Sequence, residues 1–270
     1  MVSRFQAALL ATFAALLAPT AARSDTVDVY AAGSLRGVMS ALAPKALAMG
    51  ITLQPSFGGS GELRDRIDRG AKPDLLLSAD MASPRGLADG GRTVVPAIAF
   101  ARNRLCLVAR RALDLTPETF VSRLLRPDVR IRTSKPIADP SGDYAMAMFD
   151  LIDAARPGAG KALRAKADAQ MAASAPATIP GQNATAALFA AQRIDVAVTY
   201  CSASADLAKA APGLTSIAVP AAFDPKPVFG IALLTTKPAA LRLALLLLSD
   251  AGQAALTSAG LIPLADGGRP

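Results

Sequence analysis

The feature that most constrains the fold is an alternation of strand-like and helix-like segments that begins at residue 26. Residues 27–30 predict a strand, and Leu35, Val38 and Leu42 follow it at the spacing of an amphipathic helix. Residues 51–57 form a second predicted strand. Residues 74–78 form a third, apolar enough to be buried on both faces. Such alternation predicts parallel strands covered by helices, which is the α/β class.

The same pattern restarts after an apolar, extended stretch at residues 94–109, which predicts a crossing into a second lobe. We therefore expect an α/β protein with two similar lobes, whose mixed, mostly parallel sheets are joined by a hinge. The predicted lobes are residues 25–101 and 102–235, with residues 236–270 packing back on the first lobe. Further strands are predicted at 129–133, 177–179, 195–200, 217–219 and 229–235.

The N-terminus predicts a secretory signal peptide over residues 1–24. A basic start at Arg4 precedes a short apolar run from Ala7 to Ala18, and small residues follow near the expected cleavage point at Ala22. The run is shorter than the roughly 20 residues that a membrane-spanning helix needs. The alternative is a buried first helix. A cleaved signal peptide implies a periplasmic protein.

Composition narrows the function classes. The formal net charge is +8, but the basic residues are scattered and only 4% of residues are aromatic, so a nucleic-acid surface is not expected. Cys106 and Cys201 leave two alternatives open, a disulfide or two buried thiols.

Catalysis is also poorly supported by the sequence. There is no histidine, which removes Ser–His–Asp and Cys–His catalysis and most zinc sites. Ser60 lacks the full nucleophile-elbow pattern because Glu62 replaces its last glycine. A partial phosphate-loop pattern at residues 158–161 lacks its first glycine, and Ala162 replaces the hydroxyl residue that would hold magnesium. We expect no enzymatic activity; a secreted hydrolase is the weaker alternative.

Three loops predict a binding site for an anion. Residues 31–34, 58–61 and 139–142 each follow a strand and open a helix with glycine and serine. The first turn of a helix offers unpaired N–H groups and partial positive charge, and serine adds a hydroxyl donor. The alternative for any single loop is an ordinary helix N-cap. Glu62 and Asp143 lie near the predicted site and would oppose an anion unless they point outward.

At these loops the chain resembles the periplasmic molybdate-binding proteins of ABC transporters, which have the type II solute-binding fold. The resemblance spans nearly the whole chain after the signal peptide. Its carriers are residues 31–35 (AAGSL), 56–61 (SFGGSG), 73–80 (PDLLLSAD), 103–109 (NRLCLVA), 139–145 (DPSGDYA) and 196–200 (VAVTY).

The resemblance implies a site and a ligand. It assigns oxyanion binding to Ser34, Ser60, Ser141 and Tyr200, with Ala79 lining the pocket. It implies that molybdate or tungstate is bound as the ligand without any cofactor, and that a monomeric protein delivers it to a membrane permease. Sulfate, phosphate or a small carboxylate in the same fold remain alternatives.

The third loop departs from the family pattern. Asp139 and Pro140 lead directly into Ser141, whereas the family commonly has a few more residues there. Ser141 could therefore contribute its hydroxyl as well as its amide, and the pocket could differ in size. Gln182 falls near a further backbone contact of the family, with a poor local match.

Overall fold

The computed structural model describes residues 24–173 and 184–264. The predicted signal peptide, the predicted strand at 177–179 and Gln182 therefore lie outside the described residues, apart from Ser24. In chain order the strands and helices of the first half are β1 (Asp25–Ala32), α1 (Arg36–Ala48), β2 (Ile51–Gly58), α2 (Ser60–Asp68), β3 (Leu75–Ser78), α3 (Ala82–Asp89), β4 (Ile98–Arg102), β5 (Leu105–Arg110), α4 (Phe120–Leu124) and β6 (Ile131–Arg132). The second half contains α5 (Pro140–Ala155), α6 (Ala159–Ala173), α7 (Ala184–Ala190), β7 (Val196–Tyr200), α8 (Cys201–Ala210), β8 (Leu214–Ala218), β9 (Val228–Leu233), α9 (Pro238–Leu248), α10 (Asp250–Ser258) and β10 (Ile262–Pro263).

These strands form two sheets, one in each lobe, as the two-lobed α/β expectation requires. The first sheet has the order β10-β4-β9-β3-β1-β2, and the second has the order β6-β7-β5-β8. Helices cover both. The mixed character predicted from the sequence is confirmed, but the parallel pairs are confined to β2-β1-β3 and β6-β7. The remaining neighbours are antiparallel.

In the first sheet, every antiparallel pair involves β4 or β9, the two strands that connect the lobes. β4 leaves the first sheet and β9 returns to it, so the two run side by side in opposite directions. The backbone N–H of Asn103, just after β4, donates to the carbonyl of Pro227, just before β9, at 2.9 Å. These two paired crossings form the connection that a hinge between lobes requires.

The return crossing also corrects a predicted boundary. The sequence pattern assigned all residues up to 235 to the second lobe, yet β9 pairs with β3 and β4 in the first sheet. Its residues are buried and apolar on both faces, which is why they resembled the strands of the second lobe in sequence. The second lobe therefore ends before Val228. The strand predicted at 129–133 is also shorter than expected, since only Ile131 and Arg132 pair with β7.

The first sheet places several strand ends at one edge. β1 and β2 are parallel and in register from Asp25 opposite Ile51 to Ala32 opposite Gly58, and β1 is also parallel to β3. The carboxyl ends of parallel strands meet at a common edge, where ligands bind in open α/β folds. The strands that lead to this edge lie in the core of the first lobe, where Val29 and Leu75 are fully buried.

Among the described residues, no single helix is long and apolar enough to cross a membrane. The pair α9 and α10 passes by length and composition only when both helices are taken together, and it bends by 63° at the break.

Candidate functional site

A pocket of about 300 Å³ lies where the two lobes meet. The first lobe contributes the ends of β1, β2 and β3, and the second lobe contributes the end of β7 and the start of α5. The structure brings all five residues predicted from the sequence to this pocket, and they are Ser34, Ser60, Ala79, Ser141 and Tyr200.

Ser34 presents a hydroxyl without a partner. β1 ends at Ala32, and a single 3₁₀ turn over residues 33–35 separates it from α1. The Ser34 hydroxyl oxygen is buried and makes no hydrogen bond, and it caps neither the turn nor α1. Leaving a buried hydroxyl unpaired costs free energy. The N-cap alternative therefore fails for this loop, and the hydroxyl is available to a ligand.

Ser60 and Ala79 join two loops of the first lobe. Ser60 is the first residue of α2 and is fully buried, and its side chain does not cap that helix. Its hydroxyl oxygen accepts a hydrogen bond of 3.0 Å from the backbone N–H of Ala79, directly after β3. An accepting hydroxyl keeps its own proton to donate. Ser60 therefore both fixes the loop after β3 and retains a donor that can bind an anion.

Tyr200, the last residue of β7, reaches across to the first lobe. Its hydroxyl donates to the carbonyl oxygen of Ala79 at 3.3 Å, and its ring packs edge-on against Phe229 at 5.4 Å between centroids. Burial raises the pKa of the Tyr200 hydroxyl well above its usual value, so the group stays a neutral donor. The next residue, Cys201, forms a disulfide with Cys106 of β5, which settles the open question about the cysteines and ties the end of β7 to its neighbour.

The helix that follows the third loop, α5, is capped by an aspartate rather than by the serine of the loop. Asp139 is the N-cap of α5, and its carboxylate accepts a hydrogen bond of 3.0 Å from the backbone N–H of Ser141. Pro140 occupies the first helical position, where its missing N–H is not needed. The Ser141 amide, which the family resemblance assigns to the anion, therefore already has an intramolecular partner.

Asp139 gives the pocket an acidic wall. Burial is the main factor that raises the pKa of its carboxyl above the usual value, and the charges of Glu62 and Asp80 raise that pKa further. Hydrogen bonds from the Ser141 amide and the Ser134 side chain oppose this rise. Among the described residues that line the pocket, none is a lysine or an arginine. The site therefore relies on neutral donors and contains one titratable acid.

The two acids that the sequence singled out behave differently from Asp139. Glu62 is exposed, and Asp143 is exposed with its carboxylate accepting a 2.8 Å hydrogen bond from the backbone N–H of Ile137. Neither lines the pocket among the described residues. Neither acid would therefore contact an anion in the pocket directly, and Glu62 acts there only through its effect on the pKa of Asp139.

The lobes touch directly at the pocket rim. The backbone N–H of Glu62 in α2 donates to the carbonyl of Ala138 in the second lobe at 3.2 Å. A side chain at Gly59 would collide with the Ala138 carbonyl oxygen, and one at Gly61 would collide with the Ile137 carbonyl oxygen. Glycine is required at both positions because the two backbones approach so closely. The structure is thus a closed arrangement.

Comparison with known families accounts for this architecture. Residues 27–262 match the model of the bacterial extracellular solute-binding proteins. The chain belongs to this family. An uncharacterized protein of Pasteurella multocida (strain Pm70) is 36% identical over 178 residues, which cover 64% of this chain and 73% of that protein.

Solved structures with the same fold include other solute-binding proteins. The sulfate-binding protein SubI from Mycobacterium tuberculosis H37Rv has a TM-score of 0.70 and 18% identity, covering 90% of this chain and 88% of that one. The periplasmic molybdate-binding protein of Azotobacter vinelandii has a TM-score of 0.66 and 19% identity, covering 88% of this chain and 98% of that one. At this level of identity the likeness establishes the two-lobed fold of a solute-binding protein.

Reasoning from the sequence missed part of the wall of this solute-binding protein. Asp139, Ser134 and Thr199 also line the pocket. For Asp139 a signal was present, since aspartate directly before a proline that opens a helix is a common N-cap pattern. For Ser134 and Thr199 no local motif stands out, because they reach the pocket only through the packing of α5 and β7.

Proposed function

We propose that this solute-binding protein captures a tetrahedral oxyanion, with molybdate or tungstate as the first candidates, between its two lobes. The observation that carries the proposal is the buried, unpartnered hydroxyl of Ser34 in a pocket shared with Ser60 and Tyr200. A buried hydroxyl without a partner is costly, and an oxyanion in the pocket would satisfy it.

The other donors suit the same guest. The Ser60 hydroxyl retains its proton, and the Tyr200 hydroxyl remains neutral. Hydrogen bonds from neutral groups to an ionised ligand are stronger than those between neutral partners, and they bind a small anion without a fixed countercharge. Such a site selects by the positions of its donors, which favours a compact anion with several oxygens.

Sulfate is the second candidate, and a specific observation supports it. It has the charge and tetrahedral shape of molybdate with a smaller radius, and the SubI structure, named for sulfate binding, has the higher TM-score of the two oxyanion-binding proteins described above. The A. vinelandii protein and the motifs of the three loops support molybdate. The choice between the anions rests on the fit of the pocket.

Capture follows from the arrangement of the lobes. In the open form, Ser34 and Ser60 receive the anion on the first lobe. The second lobe then closes through the contact between Glu62 and Ala138, bringing the start of α5 and Tyr200 to the guest, as in other hinged proteins. The Tyr200 hydroxyl would exchange the Ala79 carbonyl for a ligand oxygen during this step.

The wider role follows from the family and from the N-terminal sequence. We propose that the signal peptide directs the chain to the periplasm. There the monomeric protein, which needs no cofactor and no catalytic step, delivers its anion to the permease of an ABC importer.

Titration of the protein beginning at Ser24 tests the proposal. Isothermal titration calorimetry with molybdate, tungstate, sulfate and phosphate should reveal one bound anion per chain, with molybdate or tungstate preferred. A preference for sulfate would select the second candidate. Absence of heat with all four anions, in a protein whose cooperative melting shows that it is folded, would reject oxyanion capture.

A further inference from the structure

A second polar cavity adjoins the oxyanion pocket inside the second lobe. It measures about 100 Å³ and shares Ser134, Thr199 and Ala203 with the pocket. Among the residues that line only this second cavity are Arg132, Thr185 and Leu207. The cavity therefore extends the ligand site away from the first lobe, toward the far part of β6 and β7.

The register of β6 and β7 places the side chain of Arg132 on the same face of the sheet as Thr199, which lines the pocket. Arg132 of β6 lies opposite Ala197 of β7, and side chains two residues apart on a strand point to the same face. Arg132, Ala197 and Thr199 therefore share one face of the sheet. At a rise of about 3.3 Å per residue, Thr199 at the pocket lies about 7 Å along β7 from the position opposite Arg132.

In the described part of the chain, Arg132 lacks the ion pair that several other arginines of this lobe make. Arg130 and Arg110 pair with Asp195, and Arg126 pairs with Asp128. The Arg132 guanidinium makes no hydrogen bond, ion pair or ring contact within the part of the chain that the structure describes.

Its surroundings make that isolation costly. Arg132 is half-buried, and burial lowers the pKa of its guanidinium, which nevertheless stays charged because arginine does not lose its proton in proteins. A partly desolvated charge without a counterion is unfavourable, and an anionic group in the cavity would relieve it.

We infer that Arg132 binds a second anionic group, the carboxylate of an organic ligand whose tetrahedral oxyanion group occupies the pocket as an inorganic oxyanion would. This inference deepens the proposed function and rests on it, because Ser34 and Ser60 would still bind the oxyanion group. A guanidinium matches a carboxylate with two parallel hydrogen bonds.

The site has room for a ligand longer than an inorganic anion. Pockets for small organic molecules begin at about 300 Å³, which is the volume of the oxyanion pocket without the adjoining cavity. A short two-headed anion would fill the pocket and reach the cavity.

Two matched probes test the inference. Phosphonoacetate carries a phosphonate and a carboxylate separated by one methylene, and methylphosphonate lacks the carboxylate. The wild-type protein should bind phosphonoacetate about 10- to 100-fold more tightly than methylphosphonate, the range expected for a hydrogen-bonded ion pair. Arg132→Gln should remove that difference while leaving the affinity for methylphosphonate within about twofold.

A second variant separates contact from net charge. Arg111 is exposed in the same lobe, beyond the end of β5 that lies farthest from Tyr200. Arg111→Gln removes the same charge and should leave both affinities unchanged. Equal weakening of both probes by the two variants would reduce Arg132 to a general electrostatic effect and overturn the inference. Arg132→Gln is compared only if its melting temperature shows a folded protein.

The remaining outcomes are equally decisive. If methylphosphonate in the presence of acetate binds as tightly as phosphonoacetate, the two anionic groups can bind as separate ligands. That outcome rejects a single ligand with two anionic groups. If phosphonoacetate binds no better than methylphosphonate while molybdate or sulfate binds well, the inference fails and the proposed function stands. If none of these anions binds, the proposed function itself fails.

Discussion

The two walls of the pocket differ in what their polar groups are doing before a ligand arrives. On the first lobe, the Ser34 hydroxyl has no partner and the Ser60 hydroxyl still has a proton to donate. On the second lobe, the Ser141 amide is bonded to Asp139, and the Tyr200 hydroxyl is bonded to Ala79. The first wall is therefore prepared for an anion, whereas the second wall must exchange partners to receive one.

This difference assigns separate tasks to the lobes. A donor that is already free contributes most of its hydrogen-bond energy to affinity, whereas a donor that must break an internal bond contributes only the difference. The first lobe should set how tightly an anion is held. The second lobe, through the carboxyl of Asp139, should set how affinity depends on pH and on the protonation of the ligand.

The largest effect is expected from the serines of the first wall. The double variant Ser34→Ala, Ser60→Ala should weaken binding of the preferred oxyanion by at least about 100-fold, since each hydrogen bond to a charged group contributes about 1.5–3 kcal/mol. Calorimetric titration measures this loss. Ser40, exposed on α1 of the same lobe, provides the control, and Ser40→Ala should leave affinity unchanged.

Stability separates the two serines from each other. Ser34→Ala removes an unsatisfied buried hydroxyl and should not lower the stability of the empty protein. Ser60→Ala leaves the buried N–H of Ala79 without a hydrogen-bond acceptor. It should therefore lower the free energy of unfolding by about 1–3 kcal/mol. Denaturant unfolding of each single variant measures both values. A loss of stability in Ser34→Ala without a loss of affinity would show that the first wall is structural.

An intermediate effect is expected from Asp139. Its folded pKa is raised, so the ionised carboxylate opposes a dianion above that pKa, and affinity should fall as pH rises through it. Asp139→Asn removes the charge and keeps a residue that caps helices well, so it should bind sulfate about tenfold more tightly near neutral pH. Titrations with sulfate at several pH values measure the profile, which should be flatter in the variant.

Weaker rather than tighter ligand binding by Asp139→Asn would change the role assigned to the second wall. If Asp139→Asn weakens binding of a ligand that carries its own proton, such as hydrogen phosphate, and leaves sulfate unchanged, the carboxylate acts as an acceptor for that proton. Asp143→Asn is the matched control, because Asp143 is exposed and bonded to Ile137. It should shift neither affinity nor the pH profile.

The contrast between the walls also explains how far the sequence could lead. Strand periodicity and the glycine–serine loops predicted the α/β fold and placed Ser34, Ser60 and Ser141 where helices begin, because these features are local. The boundary at β9 was misplaced, since an apolar strand gives no indication of the sheet it joins. Pairing partners are decided by tertiary packing, which periodicity does not encode.

The same limit applies inside the site. The sequence identified the serines by residue type. It could not show that the Ser34 hydroxyl lacks a hydrogen-bond partner or that the Ser141 amide already donates to the Asp139 carboxylate. It indicated Glu62 and Asp143 as the acids that would oppose an anion, because both are close in sequence to the loops. Their side chains turn outward, and the acid at the pocket is the helix cap instead.

The smallest effect is expected from Tyr200. Its hydroxyl bond to the Ala79 carbonyl is long at 3.3 Å, and a ligand would replace that bond rather than add a new one. Tyr200→Phe should therefore weaken anion binding only about three- to tenfold, the range of a net exchange between hydrogen-bond partners.

Tyr144→Phe is the control, because the Tyr144 hydroxyl bonds the backbone of Val228 rather than lining the pocket, and it should leave affinity unchanged. Titration of both variants with the preferred oxyanion gives the measurement. A loss in Tyr200→Phe as large as that of the double serine variant would mean that the second wall binds as strongly as the first, because its hydroxyl would then gain far more from the ligand than it gives up at Ala79.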